Sequence, residues 1–296
     1  MKIIQTKADR TFDIINVTFL ILLTFIFLYP LVFILSASFS DPDYVNRGEV
    51  WLLPKGFSFT PYIKVFENGD IIRSYWNTIM YVVVGTVINV ALTIMAAYPL
   101  SRKDLVGRNV FTMIFTFTMF FSGGLIPLYL VTKQLGLIDN FWVMILPSAI
   151  SMFNVIVMRT YFQTSIPEEL YQAADIDGCS KIGVLFRIVL PLSGPIIAVI
   201  LLWYAVGHWN SYFNALIFLS DRNKFPLQLI LREILVQNDL RNLMQANSST
   251  FIQDSSQFGS SIKYAVIVVS TLPVLIMYPF VQKYFVKGVM IGAIKG

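Results

Sequence analysis

The chain of 296 residues is 56% hydrophobic and only 13% charged. This composition excludes a soluble globular protein, because the apolar surface exceeds what one core can bury, and it predicts a polytopic membrane protein. The net charge of +5 is attributed to membrane topology rather than to a nucleic-acid-binding surface, so no nucleic-acid partner is predicted. One cysteine and one histidine exclude an intramolecular disulfide and a metal site built from several histidines.

Six apolar stretches are each long enough for a helix that crosses the bilayer, which takes about 20 residues. We therefore predict an all-α fold with six transmembrane helices over residues 14–38, 74–100, 109–132, 141–161, 189–219 and 263–285. The first stretch is too long for a signal-peptide core and no small-residue cleavage site follows it, so we expect an anchored helix. With both termini in the cytoplasm, twelve of the 22 Lys and Arg residues fall in inner tails and short loops, and this bias predicts that orientation.

The N-terminal 73 residues are predicted to comprise a tail, the first transmembrane helix and an outer loop. That loop contains W-L-L-P-K-G-F-S-F-T-P-Y-I-K-V-F, which is too apolar for a flexible linker. We expect it to lie as an amphipathic segment on the outer membrane surface. Residues 74–296 are predicted to form a core of five helices. The first of these enters the membrane at Tyr75-Trp76-Asn77 and leaves it at a basic S-R-K sequence, as interfacial anchoring requires.

The third apolar stretch contains Gly123, Gly124 and Pro127, which together loosen a helix. Irregular backbone at membrane depth is tolerated where protein or a water-filled cavity satisfies its polar groups. The sequence leaves two interpretations open, a broken helix beside a cavity and a simple kink packed against neighbouring helices.

The longest polar interruption between the apolar stretches runs from residue 165 to residue 191. Ser165 and Glu168 have the spacing of a capping box, and Pro167 falls in the first helical turn. Gly178 can adopt the positive φ that ends a helix. A second helical run follows and is broken at Pro191. We predict a short amphipathic helix-turn-helix parallel to the membrane, on which another protein docks; its apolar face is expected to comprise Ile166, Leu170 and Ala174.

This segment resembles the EAA loop of binding-protein-dependent ABC importer permeases, whose pattern is E-A-A, three residues, Gly, nine residues and I-x-L-P. The matching positions are Gln172, Ala173, Ala174, Gly178, Ile188, Leu190 and Pro191. Gln172 departs from the family, which usually has Glu there. We call residues 165–191 the coupling loop. The resemblance implies that it contacts the ATPase through Glu168, Glu169, Gln172, Ala173, Ala174, Asp177 and Gly178.

The fifth apolar stretch mixes aromatic and amide side chains between Leu201 and Leu219. On one continuous helix, Trp203, Asn210 and Asn214 would form a stripe with Trp209 and Tyr212 beside it. Aromatic faces with amides suit a neutral, hydroxyl-rich ligand such as a sugar. The alternative is that the aromatic residues belong to the interface belt and the Asn residues join helices. A similar Trp-Asn pair in maltose-type permeases implies a substrate path at Trp203, Trp209, Asn210, Tyr212 and Asn214.

Two further segments follow. The outer loop, residues 220–262, is rich in Ser, Asn and Gln; in the resembling family such a loop dips into the external binding protein, whereas the alternative is a plain surface loop. The C-terminal tail, residues 286–296, matches the G-x-x-x-G-A-x-K-G ending of maltose-type permeases. That resemblance implies that Gly292, Lys295 and Gly296 contact the ATPase subunits.

The sequence contains no phosphate-binding G-x-x-x-x-G-K-S/T motif, no catalytic Ser/His/Asp spacing and no H-E-x-x-H. We therefore predict no catalytic residue, no metal site and no cofactor bound by this chain. The alternative of a membrane-embedded enzyme is not supported, because the sequence offers no candidate nucleophile or base. An ion-coupled secondary transporter is the main alternative, but no Asp, Glu, Lys or Arg lies mid-span and no inverted repeat is visible.

The resemblance covers nearly the whole chain and implies a permease subunit of an ABC importer in the maltose-type (CUT1) carbohydrate branch, LplC-like oligosaccharide group. It implies a multi-pass protein of the cell (inner) membrane that imports a sugar, with a non-sugar solute as the alternative. The implied partners are a second homologous permease, two ATPase subunits, an external solute-binding protein and the lipid bilayer. ATP and Mg²⁺ would be bound by the ATPase subunits.

Overall fold

Every regular element in residues 7–236 and 257–293, which the computed structural model describes, is helical. The predicted all-α class is confirmed. The helices are α1 (Lys7–Ser38), α2 (Pro42–Asn46), α3 (Thr60–Glu67), α4 (Gly69–Ser101), α5 (Arg108–Phe120), α6 (Leu125–Gln134), α7 (Met152–Ser165), α8 (Glu168–Ile176), α9 (Lys181–Val184), α10 (Leu190–Leu192), α11 (Gly194–Trp209), α12 (Tyr212–Phe218), α13 (227–236) and α14 (Gln257–Ala293).

Within the described residues, three helices contain a stretch that is long and apolar enough to cross a membrane unaided: α1, α4 and α14. They correspond to the first, second and sixth predicted spans. Three further spans arise only if each of three bent helix pairs counts as one. The predicted count of six is thus reached, but the third, fourth and fifth spans are not the continuous helices that the apolar stretches suggested.

Each break coincides with residues that interrupt helical hydrogen bonding. The axes of α5 and α6 differ by 113°, and Gly124 between them has a φ of +85°. This bend is too large for the simple kink that was one of the two interpretations. A bend of 54° precedes α7 after Pro147, and a bend of 84° at Ser193 follows Pro191. Proline lacks the N–H donor that a continuous helix needs, so both bends have a local cause.

The chain divides into two compact units, residues 1–69 with 231–272, and residues 70–230 with 273–296. In the first unit, the segment after α1 folds back on the end of that helix. The ring of Phe39 lies 4.9 Å from the ring of Tyr62, and the Tyr62 hydroxyl lies 2.8 Å from that of Ser38. The predicted outer amphipathic loop is therefore a folded segment whose helical part includes α3. Its place on the membrane surface and the boundary at residue 73 stay predictions.

The second unit is built along α4, whose 33 residues span about 50 Å at 1.5 Å per residue. One apolar cluster packs around Ala97 and Tyr98 near the C-terminal end of α4, against α7, α8 and α11. Another packs around Tyr81 nearer its N-terminal end, against α12 and residues 141–144. The two ends of α4 thus organise two separate sets of loops.

A turn at Asp139 holds the loops beside the N-terminal half of α4. Asp139 has a φ of +55°, and its Oδ1 accepts hydrogen bonds from the backbone N–H groups of Ser220 and Asp221 at 3.1 and 3.0 Å. The Lys224 ammonium donates to its Oδ2 at 3.2 Å and to its carbonyl oxygen at 2.7 Å. The Asp221 N–H contributes most to lowering the pKa of this carboxyl below its usual value.

We predict that Asp139→Ala lowers the thermal midpoint of the purified complex, whereas Asp139→Asn changes it much less. Alanine removes both acceptor oxygens and adopts a positive φ poorly, whereas asparagine keeps one acceptor and tolerates that conformation. Hydrogen bonds to charged groups contribute about 1.5–3 kcal/mol each, and solvent exposure places this site at the low end. Thermal unfolding followed by tryptophan fluorescence measures the difference, and equal midpoints for the two variants would contradict the proposed turn.

Candidate functional site

The coupling loop begins with α8, whose N-cap position is Pro167. The predicted capping box is wrong, because α7 continues through Ser165 and the backbone at that residue is helical rather than extended. Without a side-chain cap, the free N–H groups of the first turn are complemented by Glu168 and Glu169, whose negative charges suit the N-terminal end of a helix dipole.

Gly178 ends α8 as predicted, with a φ of +69°. The N–H of Cys179 donates to the carbonyl of Ala174 at 2.9 Å, and the N–H of Gly178 donates to that of Asp175 at 3.2 Å. This pair of bonds is the Schellman motif, which satisfies carbonyls that the helix end would otherwise leave free. Ser180 then caps α9 by accepting from the N–H of Gly183, so the turn between the two helices has a defined geometry.

The apolar residues of α8 lie on two sides of the helix. Tyr171 and Ala174 are buried in the core with relative exposures of 5% each. Leu170, which the sequence predicted on the same face as Ala174, is instead exposed. Ala173 and Ile176 are exposed as well, Ile176 by 86%. One face of α8 therefore packs against this chain, and the opposite face presents Leu170, Ala173 and Ile176 outward.

A cation–π contact attaches α8 to the end of α4. The Arg102 guanidinium carbon lies 3.7 Å from the centre of the Tyr171 ring, and the same guanidinium is 3.6 Å from the carboxylate of Glu168. Only 13% of the Arg102 side chain is exposed, so water screens this contact less than it would screen a surface ion pair. Burial raises the pKa of Tyr171, and the positive charge of Arg102 opposes that shift.

The second helix of the loop is attached to the same place. The Lys181 ammonium lies 3.0 Å from Asp175 and 3.4 Å from Asp104, and these carboxylates, Asp175 foremost, raise its pKa. Its carbonyl accepts a hydrogen bond from the Tyr98 hydroxyl at 2.9 Å. The two helices of the coupling loop therefore both contact the C-terminal end of α4 and the turn after it.

That end of α4 is in turn held by α7. Arg159 Nε donates to the carbonyl of Leu100 at 2.9 Å, and the Gln163 amide donates to the carbonyl of Ser101 at 3.1 Å. These are carbonyls of the last helical turn, which have no partner within their own helix. Consequently α4, α7 and the coupling loop form one hydrogen-bonded assembly within this unit.

The second candidate site is a cavity of about 470 Å³ between α4, α7, α11 and α12. The helix breaks after Pro147 and at Asn210–Ser211 contribute to it, which accounts for irregular backbone in an apolar stretch. Its lining residues are Asn89, Met144, Ser148, Ser151, Phe153, Asn154, Trp203, Tyr204, Gly207, His208, Ser211 and Asn214.

Of the five predicted substrate-path residues, Trp203 and Asn214 line this cavity. Trp209 is buried edge-on against the Tyr75 ring at 5.7 Å. Asn210 caps α11 and donates to the carbonyl of Val206 at 2.9 Å, and Tyr212 is exposed. The predicted single stripe does not form, because α11 ends at Trp209 and α12 begins at Tyr212.

Sequence reasoning missed the polar base of the cavity. The amide nitrogen of Asn89 lies 3.0 Å from His208 Nε2, and the Tyr204 hydroxyl lies 2.8 Å from that of Thr93. A Cβ on Gly85 would lie 2.5 Å from His208 Nε2, so only glycine leaves room for this ring. The sequence feature that could have predicted these polar contacts is Asn89, an amide inside an apolar stretch, where polar groups are costly unless paired.

The predicted C-terminal tail and outer loop lie only partly within the described residues. Gly292 lies within α14, so the tail remains helical to Ala293, whereas Lys295 and Gly296 lie outside the described residues. Part of the predicted outer loop, 237–256, also lies outside them. Among the described residues, no group of three His, Cys, Asp or Glu side chains is arranged to hold a metal ion.

Comparisons with known proteins agree on one family. The family described as binding-protein-dependent transport system inner membrane component matches residues 89–291. Protein LplC of Bacillus subtilis (strain 168) is 43% identical over 99% of this chain and 97% of its own length. The polygalacturonan/rhamnogalacturonan transport system permease protein YtcP of the same organism is 42% identical over 97% and 99%. A chain of a bacterial ABC transporter involved in the import of the acidic polysaccharide alginate is 36% identical, with a TM-score of 0.85 over 96% of this chain and all of that one.

We predict that Gly178→Val unravels the last turn of α8, whereas Gly178→Asn preserves it. No atom lies within 4 Å of an added Cβ, so the difference comes from backbone strain, which asparagine tolerates at positive φ and valine does not. A strain of about 1–2 kcal/mol corresponds to amide exchange about tenfold faster. Hydrogen exchange at residues 177–179 measures this effect, and equal rates in the two variants would argue against the Schellman turn.

Proposed function

This chain belongs to the family of binding-protein-dependent transport system inner membrane components, and from that premise we propose that it is the sugar-translocating permease subunit of an ABC importer driven by separate ATPase subunits. It is a multi-pass membrane protein and a non-enzymatic subunit. Membership in this family excludes the alternative of an ion-coupled secondary transporter. ATP and Mg²⁺ would be bound by the ATPase partners.

The single observation that supports this function most directly is the outward apolar face of α8, which comprises Leu170, Ala173 and Ile176. The opposite face of the same helix is packed against the core of this chain. An apolar face in water is costly unless a partner covers it. The small side chain of Ala173 allows close approach by that partner. We propose that the partner is an ATPase subunit and that Gly178 fixes the orientation of the face. Glu169, Gln172 and Asp177 are exposed and would line its rim.

The contacts behind α8 supply a mechanism for coupling. When the ATPase subunits close, they would displace α8, and the Arg102–Tyr171 contact would pass that displacement to α4. Because Arg159 and Gln163 join α7 to the last turn of α4, the two helices would move together. Rigid-body rocking of this kind would switch the cavity between the two membrane faces.

A second permease subunit is proposed from the exposed backbone between α5 and α6. Residues 121–124 are non-helical and exposed in this chain, and such backbone at membrane depth needs protein or trapped water around it. A homologous partner would complete that enclosure. We also propose that the outer loop 220–262 contacts the solute-binding protein, and that the C-terminal tail 286–296 contacts the ATPase subunits.

A saccharide is the proposed substrate because the cavity combines aromatic rings with uncharged amide and hydroxyl groups. Pockets for small polar ligands typically present an apolar wall with a few placed polar groups. Relatives named for saccharide transport support the same class of solute. In this proposal residues 74–296 form the permease core that performs translocation, and residues 1–73 supply the tail, the first transmembrane helix and the outer loop.

We predict that Ala173→Trp uncouples the importer without impairing folding. The substituted residue is exposed in this chain, so the added ring would meet the ATPase rather than the core. We expect ATP-driven uptake to fall by at least about tenfold and the ATPase to be lost on copurification, as a disrupted interface contact of about 1.4 kcal/mol or more implies. Uptake in reconstituted vesicles and copurification measure the two effects.

Leu53→Trp is the matched control, because Leu53 is 77% exposed in the segment after α1 and the same ring is added outside the coupling loop. We expect it to retain uptake and ATPase assembly. Full uptake by Ala173→Trp, with the ATPase still bound, would show that α8 is not the docking element.

A further inference from the structure

The cavity is lined by the side-chain amide of Asn154, which makes no hydrogen bond to the described residues. Asn154 is 6% exposed and lines the cavity. Its backbone N–H is bound by the Ser151 hydroxyl at 3.5 Å, but within residues 7–236 and 257–293 its side chain makes no hydrogen bond. The amide atoms of Asn154 are not among the fully enclosed side-chain atoms that lack a partner, so they are accessible from the cavity and can offer two donors and one acceptor. The side chain is therefore available for a ligand that enters the cavity.

A hydrogen-bonded pair of uncharged residue types, Asn89 and His208, lines another part of the cavity. The Asn89 amide nitrogen lies 3.4 Å from the carbonyl of Ser148 and 3.0 Å from His208 Nε2. The carbonyl oxygen of Asn89 is buried without a partner among the described residues.

Two aromatic rings supply an apolar wall beside Asn154. Trp203 is 36% exposed and lines the cavity together with Phe153. Their ring centroids are 5.5 Å apart and their planes are inclined by 35°, so they support each other's position. A flat aromatic face next to free amide groups matches a pyranose, which has an apolar C–H face and a rim of hydroxyls.

Among the described residues that line the cavity, none is Asp, Glu, Lys or Arg. A carboxylate taken into such a cavity would lose its hydration without meeting a cation, which is costly. On the premise of the proposed sugar import, we propose that this wall is a subsite for an uncharged glycosyl unit, in which Asn154 hydrogen-bonds hydroxyl groups and Trp203 stacks on the ring.

The test uses the complete transporter with its binding protein in proteoliposomes and two probes of equal length, a neutral galactose tetrasaccharide and tetragalacturonate. We expect Asn154→Ala and Trp203→Ala each to raise the half-saturating concentration for uptake about five- to tenfold, as loss of one contact of about 1–1.4 kcal/mol implies. Trp203→Phe should recover part of the loss, because it keeps an aromatic face on which the sugar ring can stack.

Charge substitutions at the same position decide the class of ligand. If the wall contacts an uncharged unit, Asn154→Asp and Asn154→Lys both weaken uptake of whichever probe is transported. If it contacts a carboxylate, Asn154→Lys strengthens uptake of tetragalacturonate while Asn154→Asp abolishes it, and that opposite pair of effects overturns the inference. An unchanged half-saturating concentration in Asn154→Ala also overturns it.

Asn109→Ala is the matched control, because Asn109 is exposed at the start of α5 and does not line the cavity. If the transporter with Asn154→Ala fails to assemble, the same uptake measurement is made with Asn214→Ala. Asn214 lies in α12, and its side chain is half-buried at the cavity wall. Uptake of neither probe by the unsubstituted transporter would overturn the proposed sugar import itself, and this inference with it.

Discussion

Backbone polar groups inside an apolar chain need partners, and this requirement determines where the helices of this protein can break. The bend between residues 148 and 152 and the break between α11 and α12 at residues 210–211 occur where residues line a cavity. The break at residues 121–124 is exposed in this chain and is proposed to be covered by a second permease. Continuous helices would have been simpler to insert, but they would leave no irregular surface on which a solute could bind.

The same requirement operates at the end of α4. Its last carbonyls would be unsatisfied at the helix terminus, and they are bonded by Arg159 and Gln163 from α7. Arg102, one residue beyond α4, stacks on Tyr171 of α8. The C-terminal end of α4 is thus bonded to α7 and, through Arg102, to the coupling loop. The loop proposed to receive force is therefore attached to a membrane helix that is itself bonded to a second one.

Some of the polar side chains in the cavity are likewise paired with each other. Asn89 is hydrogen-bonded to His208, and Gly85 leaves the space for the imidazole ring. Asn154 also lines the cavity, and within the described residues its side chain makes no hydrogen bond. A wall of this kind contributes hydrogen bonds and stacking but no charge, so any charge on a transported glycan would have to be balanced by another part of the transporter.

The sequence by itself determined the class of the molecule and the order of its parts. Composition required a membrane protein, Gly178 predicted the end of α8, and the spacing from Gln172 to Pro191 identified the coupling loop, because these features depend on residues close together in the chain. Only the tertiary structure decided that Leu170 faces outward, that Ser165 belongs to α7, and that Asn154, Asn89 and His208 meet at one cavity. A helical stripe can be extrapolated only while the helix continues, and here α11 ends at Trp209. The grouping of residues around the cavity depends on contacts between residues more than fifty positions apart, such as Asn89 with His208, which no local pattern encodes.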